Sequence, residues 1–201
     1  MPADFEKQSY WQKRFARETA FEWLVSSATF LSLLDPLLSQ FAEPSEIRVL
    51  HLGGGTSDLH CHLRLRGFED VTNVDYEPLA AERGRALEQR QFGDVRMSYL
   101  TGDATQLDLR DDSARFDLVI DKSAADAISC GGESMVVRMA LGVKRYLAEG
   151  GVWVSLSYSG SRFDIVEFPL RVEELGRIPM PKRLESEPDL FYHCYLLRRK
   201  G

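Results

Sequence analysis

From Ile47 onward, short apolar runs alternate with segments of helical character, and no other feature constrains the fold of this 201-residue chain as strongly. IRVLHL, VTNVDY, VRMSYLTGD, FDLVID and VWVSLSY read as strands. SDLHCHLRLRG reads as a helix closed by Gly67, and PLAAERGRALEQRQ as a helix with Pro78 in its first turn. ESMVVRMALGVKRYLAEGG reads as a helix running to Gly150-Gly151. Strands that alternate with helices are joined by crossovers, so the sheet is expected to be mostly parallel and covered on both faces. The last third changes character. In GRIPMPKRLESEPDLFYHCYLLRRK two extended runs flank Glu187-Pro188-Asp189, which predicts an antiparallel hairpin added at one edge.

Ahead of the alternation, residues 4–34 carry Phe5, Tyr10, Trp11, Phe15, Phe21, Trp23, Leu24, Phe30, Leu31 and Leu34 at helical spacings. One or two helices ending near Asp35-Pro36 are expected, then a short helix to Phe41 and a polar break at Glu43-Pro44-Ser45. The chain is read as one domain overall, with residues 1–46 a helical lid packed on a core of 47–201. A net charge of −6 argues against nonspecific nucleic-acid binding, and no apolar run approaches the roughly 20 residues that cross a bilayer. MPADFEKQSYWQKRF mixes acids, bases and aromatics, unlike a secretory or transit segment. Cys61, Cys130 and Cys194 are odd in number and far apart, which fits a reducing compartment. A cytoplasmic protein, or a nuclear one, is expected, with neither nucleic acid nor membrane as partner.

The first strand ends in glycines: RVLHLGGGTSDL. In an open α/β sheet a ligand sits at the carboxyl ends of the strands where the strand order reverses, and Gly53-Gly54-Gly55 occupies that place. A dinucleotide turn wants G-x-G-x-x-G so that pyrophosphate reaches the helix N-terminus. Gly53 and Gly55 fit, but the third position is Asp58, whose carboxylate repels phosphate. No Gly-Lys-Ser/Thr follows, so a P-loop is excluded too. An adenosine without phosphate remains, and S-adenosylmethionine is one, carrying a cationic sulfur that acids and aromatic faces tolerate.

Acids stand at three successive strand ends: Asp75, Asp103 and Asp121. Asp75, 22 residues after Gly53, is placed to accept from both ribose hydroxyls. Asp103 is placed to accept from the adenine amino group, with the Ala104 N–H meeting a ring nitrogen. Each acid alone reads equally well as a turn residue or helix cap. Other clusters read as structural. His60-Cys61-His62 point in different directions on a helix, so no metal site is assigned. Cys130, beside Gly131-Gly132, has no histidine near it in sequence to activate it, and Arg198-Arg199-Lys200 reads as a solvated tail.

Together these residues resemble the class I S-adenosylmethionine-dependent methyltransferases, and within them the group that contains the elongation factor 1-alpha lysine methyltransferases. The family's YW-x-x-RY opening stands here as Tyr10-Trp11-Gln12-Lys13-Arg14-Phe15, and its acid-Trp pair as Glu22-Trp23. LGCGNS stands as LGGGTS, the DYS segment as GFEDVTNVDYE, the DKGTLDAL segment as DKSAADAI, and the terminal Y-x-YL as YHCYLL. The resemblance implies a Rossmann-like α/β fold whose mostly parallel seven-stranded sheet ends in the antiparallel hairpin, with the N-terminal helices set against it. It also implies cofactor contacts at Trp11, Phe15, Trp23, Gly53, Gly55, Asp75, Tyr76, Asp103, Ala104 and Lys122, with S-adenosyl-L-homocysteine as product. Phe15 replaces a tyrosine, Gly54 a cysteine, and Ser123-Ala124-Ala125 replace Gly-Thr-Leu. The stretch after Ile128 is shorter than the family's loop on the substrate side.

Methyl transfer from a sulfonium is an in-line displacement, so the protein chiefly aligns the nucleophile and excludes water. Asp121 and Lys122 are expected to face the methyl position, with Asp126, Ser157 and Tyr158 also on the substrate side. Asp121, Lys122 and Tyr158 are thus the catalytic candidates, and Asp121 reads equally well as a buried acid capping a turn. A protein lysine, on a translation factor such as elongation factor 1-alpha, is the first acceptor expected. A small molecule is the alternative, and a non-catalytic cofactor-binding scaffold is the third possibility.

Overall fold

The computed structural model describes residues 4–201. Its seven-stranded sheet comprises β1 (Val49–Leu52), β2 (Val71–Asp75), β3 (Ser98–Thr101), β4 (Phe116–Lys122), β5 (Leu147–Ser157), β6 (Leu170–Pro179) and β7 (Phe191–Arg199) in the order β3-β2-β1-β4-β5-β7-β6. The first five are parallel, and β7 runs antiparallel between β5 and β6. The expected edge hairpin is therefore present, although β6 begins at Leu170, before the run read as extended in the sequence. Strand order reverses between β1 and β4, so a crevice opens above their carboxyl ends.

Helices α1 (Gln8–Phe15), α2 (Ser27–Leu38), α3 (Leu59–Leu65), α4 (Pro78–Phe92), α5 (Ala124–Ser129) and α6 (Glu133–Tyr146) complete the chain. One face of the sheet packs Val49, Leu118, Ile120 and Val154 against α2 and α3. The other packs Leu50, Val119 and Trp153 against Val136, Met139, Ala140 and Val143 of α6. The range expected as one lid therefore divides. α2 belongs to the sheet's own core through Phe30, Leu31 and Leu34, and the segment before it covers the crevice. Residues 1–3 of that range lie outside the described residues.

Two helix ends differ from the sequence expectation. α2 does not break at Asp35-Pro36 but runs through Pro36 to Leu38. Its buried stripe of Phe30, Leu31, Leu34, Leu37 and Leu38 continues across the proline, and that burial outweighs the missing backbone donor. α6 ends at Tyr146 rather than at Gly150-Gly151, because Leu147 turns extended and pairs with Phe116 of β4. The Arg199 guanidinium donates to the Leu147 carbonyl at 2.6 and 3.1 Å and fixes that change of direction.

Candidate active site

A cavity of about 400 Å³ lies over the carboxyl ends of β1, β2 and β4. Its floor is the turn after β1. Gly53 and Gly55 have φ of +63° and +54°, which only glycine adopts without strain. A Cβ on Gly53 would lie 2.6 Å from the Ala124 Cβ, and one on Gly55 would meet the Phe15 ring at 3.2 Å. These two glycines let α5 and the aromatic roof close directly on the backbone.

The roof comes from the N-terminal segment. Trp11 and Phe15 on α1 pack with Trp23, Phe5, Tyr10 and Tyr76. Trp11 stands 5.5 Å from Phe15 and 5.9 Å from Trp23, centroid to centroid. The Trp11 indole donates to the Phe5 carbonyl at 2.6 Å, and Arg14 lies over Trp23 at 4.6 Å. Gln8 donates to the Tyr76 carbonyl at 2.5 Å, tying α1 to the strand end that carries Asp75.

Glu6, Asp75, Asp103 and Asp126 border the cavity, and the three aspartates are already engaged. Asp75 accepts from the Gly55 N–H at 3.0 Å and the Glu77 N–H at 2.9 Å. Burial pushes its carboxyl up to about 6 against the pull of those donors. Asp103 accepts from the Thr105 N–H and hydroxyl, both at 2.8 Å, and so caps the short turn Ala104–Gln106. It is thus a turn residue that also lines the cavity. Asp126 on α5 is a hub: Ser157 donates at 2.5 Å, the Tyr158 N–H at 2.8 Å, Ser123 at 3.1 Å and Arg162 Nε at 2.8 Å.

Two catalytic candidates are placed otherwise than expected. Asp121 and Lys122 do not both face the methyl position, because neighbours on a strand point to opposite faces. Period-two reading of FDLVIDK alone carries that signal. The Asp121 side chain is fully buried away from the cavity, accepting from the Trp153 indole at 2.8 Å and the Ala125 N–H at 3.1 Å. Burial pushes its carboxyl up to about 6. Asp121 is a buried strand-end acid, as the structural reading had it. Trp153→Phe is therefore expected to cost about 1.5–3 kcal/mol in urea denaturation, the worth of a hydrogen bond to a charged group, with cofactor affinity unchanged. A coincident loss of affinity would return Asp121 to the site.

Lys122 borders the cavity, but its ammonium donates to the Glu22 carboxylate and to the carbonyls of Trp23 and Val25, both at 3.0 Å. All three of its protons are engaged, so it is no free acid or base. Tyr158 stands at the rim, 60% exposed, 6.2 Å from Tyr192. Glu22 was seen in the sequence only as half of an acid-Trp pair. Nothing local shows its partner 100 residues away.

The remaining clusters scatter. His60 bonds the Gly84 carbonyl at 3.2 Å, His62 lies 3.4 Å from Asp58, and Cys61 is buried. Cys130 is exposed at the end of α5. Among the described residues no helix is long and apolar enough to cross a membrane.

The donor set suits a cationic adenosyl ligand: a glycine floor, an acid at the second strand end and an aromatic roof, with Lys122 and Arg162 on the lining already paired with Glu22 and Asp126. Comparisons with known proteins agree. Residues 50–155 match the model of the methyltransferase domain. Methyltransferase srdJ of Neurospora crassa is 54% identical over 98% of this chain and 85% of its own length. EEF1A lysine methyltransferase 4 of Mus musculus is 32% identical over 80% of this chain, which spans 64% of that protein. The mouse eEF1A lysine and N-terminal methyltransferase is 34% identical over 74% of this chain but only 20% of its own length. Among solved structures, N-methyltransferase NodS from Bradyrhizobium japonicum, in complex with S-adenosyl-L-homocysteine, has a TM-score of 0.66 at 18% identity, covering 93% of this chain and 98% of its own. Magnesium protoporphyrin IX methyltransferase from Synechocystis, with bound S-adenosylmethionine, has a TM-score of 0.63 at 12% identity, covering 96% and 93%. At those identities the structural likeness concerns the fold.

Proposed function

The chain belongs to the S-adenosylmethionine-dependent methyltransferases, and from that membership we propose that it methylates a lysine amine of a protein, on a translation factor such as elongation factor 1-alpha. The observation that carries this reading is the size of the cavity. Pockets for drug-sized ligands run from roughly 300 to 1,000 Å³. At about 400 Å³, the cavity is largely filled by a ligand as large as the cofactor. A slender chain reaching in from the rim fits the remaining space better than a bulky molecule enclosed whole. The names of the mouse relatives point the same way.

When bound, the cofactor supplies a methyl group on a cationic sulfur, a good leaving group. A lysine must arrive neutral. From a reference pKa near 10.4, that costs roughly 4.6 kcal/mol at pH 7. Phe5, Ile128 and Met135 line the cavity and lower that cost by desolvating the ammonium. Asp126 works in the opposite direction only weakly, since Arg162 already balances its charge. We assign the Tyr158 edge the task of orienting the amine, whose proton leaves to water at the rim, while Asp126 holds the Tyr158 backbone N–H at 2.8 Å. The roof of Trp11, Phe15 and Trp23 keeps water from the sulfur. On this reading Asp75 holds the ribose, and Asp103 with the Ala104 N–H holds the adenine.

A small-molecule acceptor is the second reading. The name of the 54%-identical relative gives no protein substrate, and only Cys130-Gly131-Gly132 joins α5 to α6 on the rim. Incubating the protein with labelled S-adenosylmethionine and cell extract separates the two. A labelled protein band is the expected result, and label confined to small extractable products would transfer the proposal to the second reading. Cofactor binding with no transfer at all would leave a scaffold.

A further inference from the structure

Residues 16–26 cross the cavity between α1 and α2, and a charge pair, buried at Lys122 and 28% exposed at Glu22, fastens them to the core. The Lys122 side chain, at the tip of β4, is only 3% exposed. Besides accepting from it, the Glu22 carboxylate accepts from the Asp58 N–H, at the start of α3, at 3.0 Å and from the Ser27 hydroxyl at 3.1 Å. One side chain thus ties the strap to β4, α3 and α2. Leu24, between the two carbonyls that Lys122 holds, has a φ of +65°, and the Val25 N–H bonds the Trp23 carbonyl at 2.8 Å. A three-residue turn of that hand is strained, and a leucine keeps it only where its surroundings over-determine it. Trp23, at the head of the turn, is an aromatic of the roof, edge-on to Phe5 at 5.6 Å and Phe21 at 5.3 Å.

We infer that Glu22 and Lys122 are a positioning pair for the cofactor: a latch that holds the strained turn and so sets Trp23 over the cavity. Lys122 serves the cofactor through the strap, and its ammonium makes no direct contact with it. Glu22, outside the set of contacts the family resemblance implies, matters to cofactor affinity as much as Lys122 does. This inference is independent of which acceptor is methylated.

Calorimetric titration of the full chain with S-adenosyl-L-homocysteine tests it, using Glu22→Gln, Lys122→Met and the double variant. Each single change is expected to raise Kd about tenfold, and the double no more than either alone, because both remove the same latch. Trypsin is expected to cut faster after the exposed Arg17 in all three, and more slowly once the ligand is added. A loss for Lys122→Met far beyond that for Glu22→Gln would mean direct contact and overturn the inference. So would additive losses, or a lowered Tm with Kd unchanged. If Glu22→Gln fails to fold, Glu22→Asp keeps the charge one methylene short of its partners. About a threefold rise in its Kd with faster cleavage after Arg17 supports the latch, and an unchanged Kd overturns it.

Discussion

Asp75→Ala is expected to weaken S-adenosylmethionine binding by about a hundredfold to ten-thousandfold in calorimetric titration. A hydrogen bond to a charged group is worth about 1.5–3 kcal/mol, and on the proposed reading the carboxylate accepts from two ribose hydroxyls. Their loss is about 3–6 kcal/mol, at about 1.4 kcal/mol per tenfold. The variant also frees the Gly55 N–H that Asp75 now holds at 3.0 Å, loosening the cavity floor. A loss below tenfold would remove Asp75 from the site. The same side chain sets a pH dependence. Burial raises its carboxyl from 3.8 to about 6 in the folded chain. Stability from this group is therefore fully present below about pH 3.8 and is lost as pH rises through about 6. Ribose hydroxyls donate to the ionised form and offset that cost. Affinity should rise with pH up to about 6 and level off above it, and below that point fall about tenfold per unit. Asp75→Asn should flatten that profile. Asp121, with a similarly raised carboxyl, lies outside the cavity and should leave the profile untouched.

Glu88→Ala should cost about 3–5 kcal/mol of folding stability, the loss typical of breaking a buried charge pair from one side. Glu88 is fully buried in α4 and accepts from Arg64 at 2.6 Å, from the Tyr99 hydroxyl at 3.0 Å and from the Arg96 N–H at 3.1 Å. Its removal leaves the Arg64 guanidinium, whose side chain is 7% exposed, with the half-exposed Asp94 as its one charged partner among the described residues. Urea denaturation measures the change, and a loss under about 1 kcal/mol would show that the site relaxes or admits water. A Glu88→Met, Arg64→Met pair should recover much of the loss, because burying neither charge is cheaper than burying one. The roof of the cofactor cavity rests on this packing at second hand, since α4 carries Ala80 into the cluster of Trp11 and Phe15.

Glu88 also shows where the sequence falls silent. In PLAAERGRALEQRQ it looks like one more charge on a solvated helix face. It is buried because Arg64 of α3 and Tyr99 of β3 arrive beside it from elsewhere in the chain. Glu22 and Lys122 meet on the same terms. By contrast, the glycine turn and the acids ending β2 and β3 were legible, because turn chemistry and strand ends are local. The assignment of Asp121 and Lys122 to one face failed for a different reason. The strand's alternation is written in FDLVIDK, but both residues stand at the tip of β4, and position at the tip does not say which side chain turns toward the cavity.

By itself the sequence determined the parallel sheet, its hairpin edge and the glycine turn after β1. Apolar periodicity and backbone torsions are decided within a few residues. Only the tertiary structure decided which acids remain open to a ligand, that α2 belongs to the core, and that one carboxylate ties the roof down. Those outcomes depend on which charges desolvate together, and desolvation is a property of packed neighbours, not of the chain that joins them.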